Sequence, residues 1–60
     1  MKLRINGETV EVPETVATVT DLLKHFQLDQ KVVIVEQNED ILQKEDHPNR
    51  PINDGDRIEI

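Results

Sequence analysis

Pro51-Ile52-Asn53-Asp54-Gly55-Asp56-Arg57-Ile58-Glu59-Ile60 closes the chain, and the fold is read outward from it. Asp54-Gly55-Asp56 is turn chemistry. Glycine takes backbone dihedrals that other residues resist, and the flanking aspartates hydrogen-bond their own backbone. Arg57-Ile58-Glu59-Ile60 then alternates polar and apolar, the period-2 mark of a strand with one buried face. The chain therefore makes a tight turn, enters a strand and stops inside it. Such a strand aims its C-terminus outward from a sheet, at Ile60, the point where a functional tail would attach.

The N-terminal stretch supplies a neighbour for that strand. Lys2 to Ile5 reads as a first strand with Leu3 and Ile5 inward. Asn6-Gly7 is a strong hairpin signal, because both central positions of a type I′ turn need positive φ. Glu8 to Val12 reads as a second strand, with Val10 and Val12 inward, and Pro13 closes it because proline cannot donate to a ladder. Thr18-Val19-Thr20-Asp21 reads as a helix start, with Thr18 as N-cap and an acidic residue at the positive end of the dipole. The helix is expected to run to about Gln27, since Val19, Leu22, Leu23 and Phe26 share one apolar face at i, i+3, i+4, i+7 spacing. Phe26 is thereby expected in the core.

Lys31 to Gln37 is expected as a third strand, because Val32-Val33-Ile34-Val35 is β-branched throughout. Asn38-Glu39-Asp40 is a turn, and Ile41-Leu42 begins a short fourth strand. Gln43 to Asn49 is polar and reads as a surface connection bounded by Pro48 and Pro51. The order is β-β-α-β-β-β, an α+β fold in one domain spanning residues 1–60. A mixed sheet of four to five strands carries one helix on one face, and the last strand lies beside the first, in parallel.

Composition excludes several classes. Sixty residues bury only roughly 60% of the surface that the unfolded chain exposes. One thin core leaves no room for a deep, walled active site, so a binding or carrier module is expected rather than a self-sufficient enzyme. With no cysteine, disulfides, thiolate metal sites and cysteine nucleophiles are excluded, and a reducing cytoplasmic setting is expected. The longest apolar run, Val32 to Val35, is far too short to span a bilayer, and the N-terminus has no signal-peptide pattern. Thirteen acidic residues against seven basic, net charge −6, with a single aromatic residue, argue against nucleic acid and are compatible with a basic protein partner.

The chain resembles the ThiS family, the sulfur carriers of thiamine biosynthesis, which have the β-grasp or ubiquitin-like fold. The resemblance spans the whole chain. It rests on Ile5-Asn6-Gly7-Glu8, on Val19-Thr20-Asp21-Leu22-Leu23, on Val33-Ile34-Val35-Glu36-Gln37-Asn38 leading into Ile41, and most strongly on Asp54-Gly55-Asp56-Arg57-Ile58-Glu59-Ile60. It implies a protein co-substrate, not an enzyme. An adenylating, E1-like activating enzyme acts on a C-terminal Gly-Gly carboxylate, sulfur replaces the adenylate, and thiazole synthase uses the resulting thiocarboxylate. No bound cofactor is implied. The chain departs from that pattern by ending at Ile60, with Gly7 and Gly55 both in turns. The residue that does the chemistry has no counterpart to carry over, and Ile60, seated against the sheet, is expected to be a poor substrate for adenylation. A tail removed by truncation is the favoured explanation. The alternatives are a carrier for another pathway, such as molybdopterin synthesis, and a ubiquitin-like module that binds without covalent chemistry.

A docking surface is the remaining candidate. With Val33 and Val35 packed on the helix, Val32 and Ile34 lie on the face the helix leaves bare, near Arg57 and Glu59. Bare apolar residues on a sheet make a docking patch, unless the stems of Arg4 and Arg57 cover them. His25 and His47 lack ligand spacing and read as solvated surface residues. Asp54 and Asp56 read as turn residues, not a calcium loop. No metal site is expected.

Overall fold

The computed structural model describes residues 1–60. Lys2–Ile5 (β1) and Glu8–Glu11 (β2) pair antiparallel, with Leu3 opposite Val10. Asn6 (φ 50°) and Gly7 (φ 84°) both take positive φ, as the type I′ turn demands. Just past β2, Val12 is buried and its N–H bonds to the Met1 carbonyl at 2.9 Å.

The helix α1 runs Val19–His25 from the expected N-cap. The Thr18 hydroxyl accepts the Asp21 N–H at 3.2 Å, and Asp21 Oδ2 accepts the Thr18 and Ala17 N–H groups at 3.1 Å each. Val19, Leu22 and Leu23 are buried. The far end stops sooner than the apolar spacing predicts. Gln27 takes φ 61°, Leu28 N–H reaches the Leu23 carbonyl at 2.8 Å, and Gln27 N–H reaches Lys24 at 3.0 Å. That pair is a Schellman cap, with glutamine where glycine is usual. Phe26 thus falls at the C-cap, off the regular stripe. It is 36% exposed, edge-on to His25, and is not the core residue expected.

The third strand is also much shorter than Lys31–Gln37. Only Glu36–Gln37 (β3) pairs, with Asp40–Ile41 (β4) on one side and Arg57–Glu59 (β5) on the other. The reason is register. Glu36 lies opposite Glu59, which sets Val35 opposite Ile60, and the residues before Val35 face no strand. Four β-branched side chains do not make a strand without a ladder to join.

The sheet order is β2-β1-β5-β3-β4, with β1 and β5 parallel and the other pairs antiparallel. The expected α+β architecture holds: a mixed sheet with one helix, and the last strand alongside the first. Residues Lys44–Asn49 are not a plain surface loop but a 3-10 helix packed against α1. It buries His47, which is 7% exposed with its Nε2 unpartnered, so the expectation of a solvated histidine fails there. The chain then returns under the helix start, where Val19 N–H bonds to the Arg50 carbonyl at 3.0 Å and Ile52 N–H to Ala17 at 2.9 Å. Ile58, wholly buried, centres the last strand on the core; full burial of such a side chain contributes about 1.5–3 kcal/mol.

Candidate functional site

The end of β5 is built from its turn. Gly55 (φ 87°) donates its N–H to the Lys2 carbonyl at 2.7 Å, and Asp54 Oδ1 accepts the Lys2 N–H at 2.7 Å. Asp56 is not merely a turn residue. It is 8% exposed and accepts Gln37 Nε2 at 2.8 Å, Asn38 Nδ2 at 3.0 Å and the Asn53 N–H at 2.9 Å. Burial works strongly against its charge, yet the donors from Asn38, Asn53 and Gln37 outweigh it and hold its carboxyl below the usual carboxylate range. The other end of Gln37 accepts Arg50 Nε at 2.9 Å, and Arg50 pairs with Asp40. One buried carboxylate therefore joins the β3–β4 turn, the return segment and the start of β5.

At the opposite end of β5, Ile60 is half-buried against the sheet, as expected, and Asn6 Oδ1 accepts its N–H at 2.9 Å. Beside it opens an apolar groove of about 520 Å3 lined by Ile5, Val10, Phe26, Leu28, Val33 and Ile60. It lies on the helix side of the sheet, because Ile5 and Val10 share the inward face with Leu3. The site is thus a hydrogen-bonded strand end beside an apolar groove, with no cluster of histidine or carboxylate side chains able to hold a metal.

The burial pattern of the Val32–Val35 run follows the expected alternation. Val35 is buried and Val33 half-buried, whereas Val32 is 98% and Ile34 74% exposed, so no arginine stem covers them. Their surroundings differ from the bare sheet face expected, because this segment is not a strand. Val32 lines a hollow of about 210 Å3 on the helix side with Thr20, Leu23, Lys44 and His47. Arg57 and Glu59 line a separate shallow hollow of about 70 Å3 with Glu36 and Glu39, where Arg57 pairs with Glu39 at 3.1 Å.

Sequence reasoning passed over two residues that hold β5, one at each end. Asp56 shares the period of Ile58 and Ile60, and that alternation was the signal for its burial. Asn6 carried only a turn signal, which says nothing of its bond to Ile60.

Comparison with known proteins follows the same outline. The model of the ThiS family matches residues 3–60. The chain belongs to the ThiS family. Among curated proteins, the sulfur carrier protein ThiS of Bacillus subtilis (strain 168) is 41% identical over 58 residues, covering 97% of this chain and 88% of the relative. Among solved structures, the crystal structure of a thiamine biosynthesis protein (ThiS) from Geobacter metallireducens superposes with TM-score 0.87 at 33% identity, covering 98% of this chain and 88% of that one. The solution structure of a thiamine biosynthesis protein from the same organism gives 0.84 at 32% identity, over 100% and 80%. The β-grasp fold of this ThiS-family chain is thus shared with its relatives, and the strand end at Ile60 falls inside the family match. No helix is long and apolar enough to cross a membrane.

Proposed function

We propose that this chain is a sulfur carrier of thiamine biosynthesis, a protein co-substrate rather than a catalyst, whose C-terminal carboxylate is converted to a thiocarboxylate. The observation that carries the proposal is the near full-length match to the ThiS family and to a relative named as a sulfur carrier. The fold agrees with the role. A strand anchored by the buried Asp56 carboxylate brings the chain to Ile60, half-buried beside an apolar groove.

The chemistry asks little of the carrier itself. A C-terminal carboxylate attacks the α-phosphorus of ATP and pyrophosphate leaves, which makes a weak acyl donor into a mixed anhydride. A hydrosulfide-level sulfur then adds to the acyl carbon, and AMP leaves with the bonding electron pair. The reacting carboxylate is that of the protein as its native gene encodes it. The adenylating enzyme and thiazole synthase are the proposed partners. Val32 and Ile34, with Arg57 and Glu59 on the other hollow, are the proposed contacts, because apolar side chains this exposed gain most from being covered.

Deletion of the gene in its host tests the pathway. Growth should then require thiamine or its thiazole unit, and the intact gene should restore independence. Unimpaired growth without either supplement would contradict the assignment.

A further inference from the structure

We propose that Asn6 is a positioning residue for the C-terminus: its side-chain carbonyl replaces the main-chain carbonyl in the last rung of the β1–β5 ladder. It thereby fixes the direction in which the chain leaves Ile60. The purpose of this latch rests on the carrier reading; its geometry does not.

In a parallel pair, alternate residues of one strand bond to the residues flanking their partner on the other. Arg4 N–H reaches the Asp56 carbonyl and Asn6 N–H reaches the Ile58 carbonyl, each at 2.9 Å. The next bond of a regular ladder would run from Ile60 N–H to the main-chain carbonyl of Asn6. Asn6, however, has already turned into the hairpin at φ 50°. The Ile60 N–H goes instead to Asn6 Oδ1, at 2.9 Å, and this is the only hydrogen bond that the Ile60 backbone makes.

Two demands meet at this position. The turn needs a residue that tolerates positive φ, which selects glycine, asparagine and aspartate. The rung needs an oxygen one short side chain away from the backbone, which removes glycine. The bond is exposed and adds little to global stability. Its effect is local: it orders the last residue of the strand, and so the starting point and heading of anything that follows. A carrier whose end must enter another protein's active site binds more tightly when that end is already aimed.

The test uses the full-length protein from its native gene, with Asn6→Gly and Asn6→Asp variants. Glycine keeps the turn and the N–H to Ile58 but loses the acceptor, whereas aspartate keeps both turn and acceptor. Amide exchange at Ile60, followed by NMR, should quicken about 2- to 10-fold in Asn6→Gly, the range a single net hydrogen bond spans. It should stay near wild type in Asn6→Asp, with Ile58 unchanged in both. With ATP and the cognate adenylating enzyme, KM for the carrier should rise in Asn6→Gly by a similar factor. kcat should hold, because the enzyme itself grips the end once bound, and Asn6→Asp should recover most of the loss. Unchanged Ile60 exchange in Asn6→Gly would overturn the latch. Faster exchange with unchanged KM would overturn its positioning role while leaving the carrier reading intact. If the wild type is not adenylated at all, the carrier reading fails, and the exchange rates still decide whether Asn6 holds the C-terminus.

Discussion

Gln37 donates its side-chain amide to the Asp56 carboxylate at 2.8 Å, joining β3 to the turn that launches the last strand. Removing that carboxylate takes an acceptor from the buried Gln37 amide, which keeps only the Pro51 carbonyl at 2.9 Å, and from the exposed Asn38 and Asn53. Asp56→Ala should therefore destabilise the domain by about 1–3 kcal/mol, the penalty for a buried amide that loses a charged acceptor. Chemical denaturation measures it. A change within about 0.5 kcal/mol, usual for a surface site, would show that the carboxylate is not an anchor.

Stability should fall at both ends of the pH scale, for opposite reasons. Asp56 is held low as described, and Asp21 is held low by the N–H groups of Ala17 and then Thr18. Carboxyls depressed on folding stabilise above their unfolded value, near 3.8, and that contribution is lost as pH falls through the lower folded value. The Met1 ammonium is raised from 8.0 to about 10 by hydrogen bonds to Glu11 and then Glu14. Its contribution is complete below pH 8.0 and is lost as pH rises through about 10. Melting temperature against pH should show both arms, and acetylating the amine should abolish the alkaline one. An alkaline arm that survives acetylation would contradict this assignment.

Gly55 and Gln27 should respond to substitution with opposite signs. Both have positive φ, 87° and 61°. A Cβ at Gly55 meets no atom within 4 Å, so only the backbone conformation opposes one. Gly55→Val should cost about 1–2 kcal/mol, whereas Gln27→Gly should stabilise by about 0.5–1 kcal/mol by relieving the same strain at the helix cap. Thermal melting checks both. An unchanged midpoint for Gly55→Val would contradict the first, and a lower one for Gln27→Gly the second.

Ile34→Glu should leave the fold intact and weaken association with the partner enzymes. The side chain is 74% exposed, so its loss should alter stability by no more than about 0.5 kcal/mol. Affinity for the adenylating enzyme, measured beside a melting curve, separates the two effects. Unfolding would show that Ile34 is buried in solution, and unaltered affinity would remove it from the docking surface.

What could be read from the residues was whatever their local chemistry settles. Asn6-Gly7, the Thr18–Asp21 capping box and Asp54-Gly55-Asp56 each impose their geometry on a few neighbours, and all three formed as expected. The parallel placement of the last strand followed from the element order. What escaped was set by contacts distant in sequence. Val32 to Ile34 have strand propensity but no strand to pair with. Phe26 keeps helical spacing, but the helix closes one residue before it. His47 sits in a polar stretch, yet the 3-10 helix folds it against α1. The second role of Asn6 depends on which strand its hairpin lies beside, and no local pattern carries that.

The most direct test of the carrier function is the intact mass of the protein expressed from its native gene. It is measured before and after incubation with ATP, a sulfur donor and the cognate adenylating enzyme. A sulfur carrier gains the mass difference between sulfur and oxygen, confined to the C-terminal peptide and dependent on ATP. An unchanged mass, with the enzyme shown active on another carrier, would contradict the assignment and leave a β-grasp domain that binds its partners without covalent chemistry.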